Sequence, residues 1–174
     1  TGFSESTDPV TLVSILNRYL AAAAEAILDE EGTIDKFMGD AVLAWFNALI
    51  PQLDHTMRAV RAALTLTKAV DVLHEDLAEE FHLSYGVGIH FGEAVLGLVG
   101  TQTRLEYTAI GNSVNIAKRL QEQAAHGQIL ISHAAATRVR DYIEVEEITP
   151  VPLEGLEQSV RVYQLLGLSQ ESKS

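Results

Sequence analysis

The sequence predicts a single α+β domain, and three observations carry that prediction. Two stretches place apolar residues at helical spacing, and one alternates apolar and polar residues strictly, as a strand does. No internal repeat, low-complexity linker or composition break divides the chain. Its 174 residues suit one core and are few for two.

Taken in order, Asp8-Pro9 reads as an N-cap followed by proline at the first helical position. Leu12, Leu16, Tyr19, Leu20, Ala23 and Ile27 then form a helical stripe that stops at Gly32. In "GTIDKFMGDAVLAWF" two apolar segments flank Met38-Gly39-Asp40, a hairpin with its turn at the glycine. A second helix follows, with Met57, Val60, Leu64, Val70, Leu73 and Leu77 on one side. The alternation of Leu83, Tyr85, Val87, Ile89 and Phe91 with Ser84, Gly86, Gly88 and His90 predicts a strand. Its glycine face expects something packed or bound closely against it. Gly92-Glu93 is read as a turn into a partner strand ending near Val99. A helix runs from Gly111 to about Ala125, "QILIS" is a short strand, and Ser132 caps a brief helix. The strands "YIEVEEI" and "SVRVYQLL" close the chain, separated by the turn-like "PLEGLEQ".

Bulk properties narrow the function. Hydrophobic residues make up 47%, which suits a globular chain. A net charge of −12 repels nucleic-acid backbones and anionic membranes. Cysteine is absent, which excludes disulfides and thiolate metal sites and fits a reducing compartment such as the cytoplasm. The reading finds no apolar run of bilayer-spanning length and no signal segment. The first residue is Thr1, so the sequence is expected to be a piece of a longer polypeptide.

Asn115 and Arg119 share a helical face by spacing, away from Val114, Ala117, Gln121 and Ala124. A solvated surface and an anion-facing site both satisfy that pattern. Asp40 beside Gly39 serves equally as a turn former or as a holder of a divalent ion against phosphate. Lys36 interrupts an apolar strand; Asp35 is expected on the opposite face, leaving no adjacent salt bridge to explain it. The six histidines show no metal spacing, and only His90 lies on the glycine face.

Four segments in order, "TGFSE", "IDKFMGDAVLAWF", "YGVGIHFGEAVLGLVG" and "EYTAIGNSVNIAKRL", resemble the catalytic domain of class III nucleotidyl cyclases, most like bacterial adenylyl cyclases. The resemblance covers essentially the whole chain. It implies a ferredoxin-like α+β fold, mainly antiparallel, working as a homodimer with active sites at the subunit interface. The implied reaction converts ATP to 3′,5′-cyclic AMP and pyrophosphate, with two Mg²⁺ or Mn²⁺ ions.

By the same resemblance, Asp40 matches the second metal aspartate, and Gly2, Phe3 and Ser4 match the loop that approaches the phosphates. Asn115 and Arg119 match the pair that orients the ribose and stabilises the α-phosphoryl transition state. Lys36 and Thr108 match the base-selecting pair; a lysine donates to adenine N1, where guanine carries a hydrogen.

Two departures stand out. The family's first metal aspartate falls upstream of Thr1, and an aspartate two positions before Thr1, on a preceding strand, is expected. Glu154 stands where many relatives carry a lysine that meets the terminal phosphates, with Lys118 and Arg104 as alternative basic groups. The rival readings are a degenerate module that dimerises and signals without catalysis, and a guanylyl cyclase, which Lys36 disfavours. A regulatory domain in the same polypeptide is expected.

Overall fold

A computed structural model of the chain describes residues 8–148 and 160–169. The chain divides between Ser84 and Tyr85 into two compact units.

In the first unit, helix α1 (Pro9–Asp29) starts as its sequence dictates: the Asp8 carboxylate accepts from the Thr11 N–H at 3.1 Å, with proline at the first helical position. Ile15, Tyr19, Ala23 and Ala26 are buried, and the helix packs on α2 (His55–Asp76), whose buried residues include Val60, Ala63 and Val70. By length and composition α1 is apolar enough to cross a membrane, contrary to the sequence reading. Here that apolar stripe is used for packing. Charge pairs tie the two helices at both ends. Arg58 meets Glu31 at 2.6 Å and Arg61 meets Glu30 at 2.8 Å, while Arg18 pairs with Asp76. Tyr19 adds a deeper tie, its hydroxyl donating to the Phe81 carbonyl at 3.0 Å and accepting from the Leu83 N–H at 3.2 Å.

Strands β1 (Thr33–Met38) and β2 (Ala41–Trp45) form the expected hairpin, packed on α1. Met38 pairs with Ala41, so Gly39 and Asp40 alone make the turn. Gly39 has φ +64°, the left-handed region that a tight two-residue hairpin requires at this position.

The second unit holds β3 (Gly86–Ile89), β4 (Val95–Thr101), β5 (Arg104–Ile110), α3 (Asn112–Gln123), β6 (Gln128–Ser132), α4 (His133–Val139), β7 (Ile143–Glu147) and β8 (Val162–Leu168). Its main sheet runs β3-β6-β8-β7, parallel between β3 and β6 and antiparallel elsewhere. Ile116 and Leu120 of α3 close over Leu130 of β6 and Val162 of β8 to form a buried cluster. The "PLEGLEQ" turn lies outside the described residues.

One pairing corrects the sequence reading. β3 is not the hairpin partner of β4: β3 pairs in parallel with β6, and β4 pairs with β5 in a separate two-stranded sheet. The expected turn at Gly92-Glu93 instead docks on the start of α3, where the Ser113 hydroxyl donates to the Glu93 carbonyl at 2.6 Å. A β-carbon at Gly92 would stand 2.3 Å from the Ser113 oxygen, so only glycine lets the segment come that close. The chain is thereby led off the sheet. β3 is also shorter than its alternation predicts, since Leu83–Tyr85 carry no strand pairing.

Candidate active site

Helix α3 is positioned by glycines. β-Carbons at Gly88 would lie 2.3 Å from the Ala117 carbonyl oxygen and 2.5 Å from the Gln121 nitrogen, and one at Gly86 would lie 2.6 Å from the Ala124 methyl. The glycine face of β3 is thus a seat for α3, backbone against backbone. Ile116 and Leu120 point into the core, and this fixes which face is left outward. Asn115 and Arg119 occupy that outward face, and both are exposed. The Arg119 guanidinium is 45% exposed, and its 3.3 Å pair with Glu122 lies on its own helix. Gly111 precedes the helix at φ +149° and, as its N-cap residue, makes no side-chain capping bond.

His90 follows β3 on the same face, with Nδ1 2.8 Å from the hydroxyl of Ser132, which is fully buried. Burial pushes the His90 imidazole below its ordinary value. The same Ser132 oxygen accepts from the Ala135 N–H at 3.3 Å and so caps α4.

Thr108 lies on β5, buried at 8% exposure and paired across the hairpin with Gly97. A side chain on Gly97 would meet nothing within 4 Å.

The β1–β2 hairpin carries Lys36 on its strand and Asp40 at its turn. Asp40 is exposed, and among the described residues its carboxylate enters no hydrogen bond or ion pair. Among the described residues, too, no three His, Cys, Asp or Glu side chains gather to hold a metal. A single hard carboxylate on an open turn fits Mg²⁺ or Mn²⁺ shared with phosphate oxygens and a second carboxylate. It does not make an all-protein cage.

The Lys36 expectation needs correction. Its ammonium stands 3.5 Å from Asp35 Oδ1, the adjacent pair that strand alternation excluded. The reason is a β-bulge: Ile34 pairs with Ala44 and Lys36 with Leu43, leaving Asp35 as an extra residue that breaks the alternation. The Asp35 side chain is fully buried, and its Oδ2 accepts from the Trp45 indole N–H at 3.0 Å. Sequence reasoning missed this pair. A charged residue next to Lys36 in an apolar strand, with a tryptophan on the following strand, was the available signal. Gly2, Phe3, Ser4 and Glu154 lie outside the described residues.

Residues 1–167 match the family described as the adenylate and guanylate cyclase catalytic domain. The chain belongs to this family. This cyclase domain is 30% identical to adenylate cyclase 1 of Rhizobium meliloti over 97% of its length, and 31% identical to the terminal-differentiation-specific adenylate cyclase of Dictyostelium discoideum over 98%. It spans 26% and 8% of those two relatives. Among solved structures it superposes on the adenylyl cyclase CyaB of P. aeruginosa with a TM-score of 0.87 and 29% identity, covering 95% of this chain and 87% of that one. The guanylyl cyclase Cya2 gives 0.88 and 30%, covering 97% and 87%. The α+β fold of the cyclase domain is therefore that of the class III enzymes.

Proposed function

We propose that this domain is the catalytic unit of an adenylyl cyclase, turning ATP into 3′,5′-cyclic AMP and pyrophosphate. The observation that carries the reading is the outward presentation of Asn115 and Arg119, one helical turn apart, on a helix seated in the glycine face of β3. A fixed amide and a fixed guanidinium there meet a sugar oxygen and a phosphoryl oxygen together.

In the reaction the ribose 3′-oxygen forms a bond to the α-phosphorus, the bond from that phosphorus to the bridging oxygen breaks, and the hydroxyl proton leaves to solvent. Arg119 balances the charge that grows on the α-phosphoryl oxygens. Asn115 orients the ribose. Lys36 donates to adenine N1, and the Thr108 hydroxyl accepts from the 6-amino group. Gly2, Phe3 and Ser4 are assigned to the phosphates by their match to the family's phosphate loop. Asp40 would be a ligand of the divalent ions. When bound, those ions activate the 3′-hydroxyl and neutralise the triphosphate.

A second copy of the chain completes the site. Phe37 and Met38 near the hairpin turn, and Val95, Leu98, Leu105 and Tyr107 on the β4–β5 hairpin, are exposed apolar side chains of the kind an interface covers. The domain's small share of its relatives' length supports an output module controlled by other parts of one polypeptide.

The likeness to Cya2 favours a second reading, a guanylyl cyclase. Purified protein extended upstream of Thr1, given Mn²⁺ with ATP or with GTP, separates the two by the cyclic product formed. Cyclic AMP supports the proposal, and cyclic GMP alone supports the rival. No product from either nucleotide marks a dimerising signalling module.

A further inference from the structure

We infer that Asp35 is a positioning residue for Lys36 and through it sets the preference for adenine. The inference rests on the reading of Lys36 as the base-selecting lysine.

Burying a carboxylate is unfavourable unless both its oxygens are satisfied. Asp35 is fully buried in a strand of otherwise mostly apolar residues, and its two oxygens have separate partners. Oδ2 accepts from the Trp45 indole at 3.0 Å, and Oδ1 faces the Lys36 ammonium at 3.5 Å. The indole is held on β2, so it fixes the carboxylate plane, and the carboxylate in turn fixes the end of the lysine. The bulge is what makes this possible, because in an unbroken strand residues 35 and 36 point to opposite faces. The Lys36 side chain is still 33% exposed, so its contact with Asp35 does not enclose it.

A lysine has a long flexible stem, and ordering it on nucleotide binding costs affinity. A lysine already held by Asp35 has met part of that cost before the base arrives. The chain's geometry thus presents a donor where adenine N1 accepts. A loosened ammonium distinguishes N1 of adenine from N1 of guanine less sharply, because it can withdraw from the opposing hydrogen.

The test uses the full-length protein. Asp35→Asn keeps the size and an oxygen for Trp45 but removes the charge that holds the lysine. It is expected to raise KM for ATP, and the Kd of a non-cyclisable ATP analogue, by about 2- to 12-fold, the range for ordering one long side chain. It narrows the ATP-over-GTP ratio and leaves kcat within about twofold, since Lys36 does not touch the reacting phosphorus. In a Lys36→Ala background the same substitution changes nothing further. Wild-type KM and selectivity in Asp35→Asn, or an equal effect in the Lys36→Ala background, overturns the inference. Retained ATP preference in Lys36→Ala alone instead sinks the base-selecting reading itself. If Asp35→Asn does not fold, Trp45→Phe frees the carboxylate while keeping its charge. Trp45→Phe should raise the same KM and Kd, and unchanged values in a folded protein count against the inference.

Discussion

Gly88 of β3 lies so close beneath Ala117 of α3 that a β-carbon on the glycine would stand 2.3 Å from the alanine carbonyl oxygen. The atom in the way belongs to the backbone, so no side chain can rotate aside. Gly88→Ala therefore lifts or tilts α3, with an overpacking cost of about 1–3 kcal/mol. Because Asn115 and Arg119 ride on that helix, cyclase activity falls by more than the loss of folded protein explains. Urea titration alongside turnover measures both. A variant with wild-type activity per folded molecule removes the claim that this seat aims the pair.

Arg119→Ala and Asp40→Ala are each expected to lower turnover by about 100-fold or more, as loss of a charge-stabilising group does. In a two-site dimer whose sites draw on both copies, mixing the two inactive proteins restores roughly a quarter of wild-type activity by random pairing. Cyclic product formed by equimolar mixtures reads this directly. Mixtures that stay inactive while still dimerising speak against a shared site.

Stability should fall as the pH drops below the ordinary histidine range. Burial depresses the folded-state value of His90 beneath the ordinary imidazole range, so below that range the unfolded chain takes up a proton that the folded one refuses. The contribution is full above the unfolded value and is lost as pH falls through the folded one. Asp54 behaves in the same direction at more acid pH, its hydrogen bond from Arg58 holding it below 3.8. Thermal melts between pH 8 and pH 5 should show a shallower slope for His90→Gln than for wild type. Equal slopes exclude His90 as the source.

Tyr19→Phe isolates one hydroxyl. It strands the Phe81 carbonyl and the Leu83 N–H, which the tyrosine meets at 3.0 and 3.2 Å, at 8% exposure. A loss of about 1–3 kcal/mol follows from leaving such groups without a partner. Chemical denaturation gives the value, and an unmoved midpoint means that water takes the hydroxyl's place.

Local chemistry was the legible part of this fold. Asp8-Pro9, Gly39 and Ser132 each announce a cap or a turn through their own side chain or its lack, and each sits where the sequence puts it. The apolar stripes likewise give α1 and α2 as helices, α1 ending at Asp29, three residues before the expected stop at Gly32. Strand partners were not legible, because nothing in β3 itself says that β6, some forty residues on in the chain, lies beside it and not β4. The bulge at Asp35 was hidden for a related reason: one inserted residue shifts the parity of a strand without altering its composition. At the site, the spacing of Asn115 and Arg119 was enough to put them on one exposed face. What holds that face, a helix pressed on bare backbone, shows in the sequence only as glycines with no stated purpose.

Thr108 sits in the β4–β5 ribbon, and a ribbon of two strands has little stiffness of its own. Its shape is borrowed from whatever leans on its apolar side chains. If a second copy supplies that support in the proposed dimer, a substitution that loosens the ribbon's apolar contacts without parting the copies is expected to blur the choice between purine bases while turnover persists.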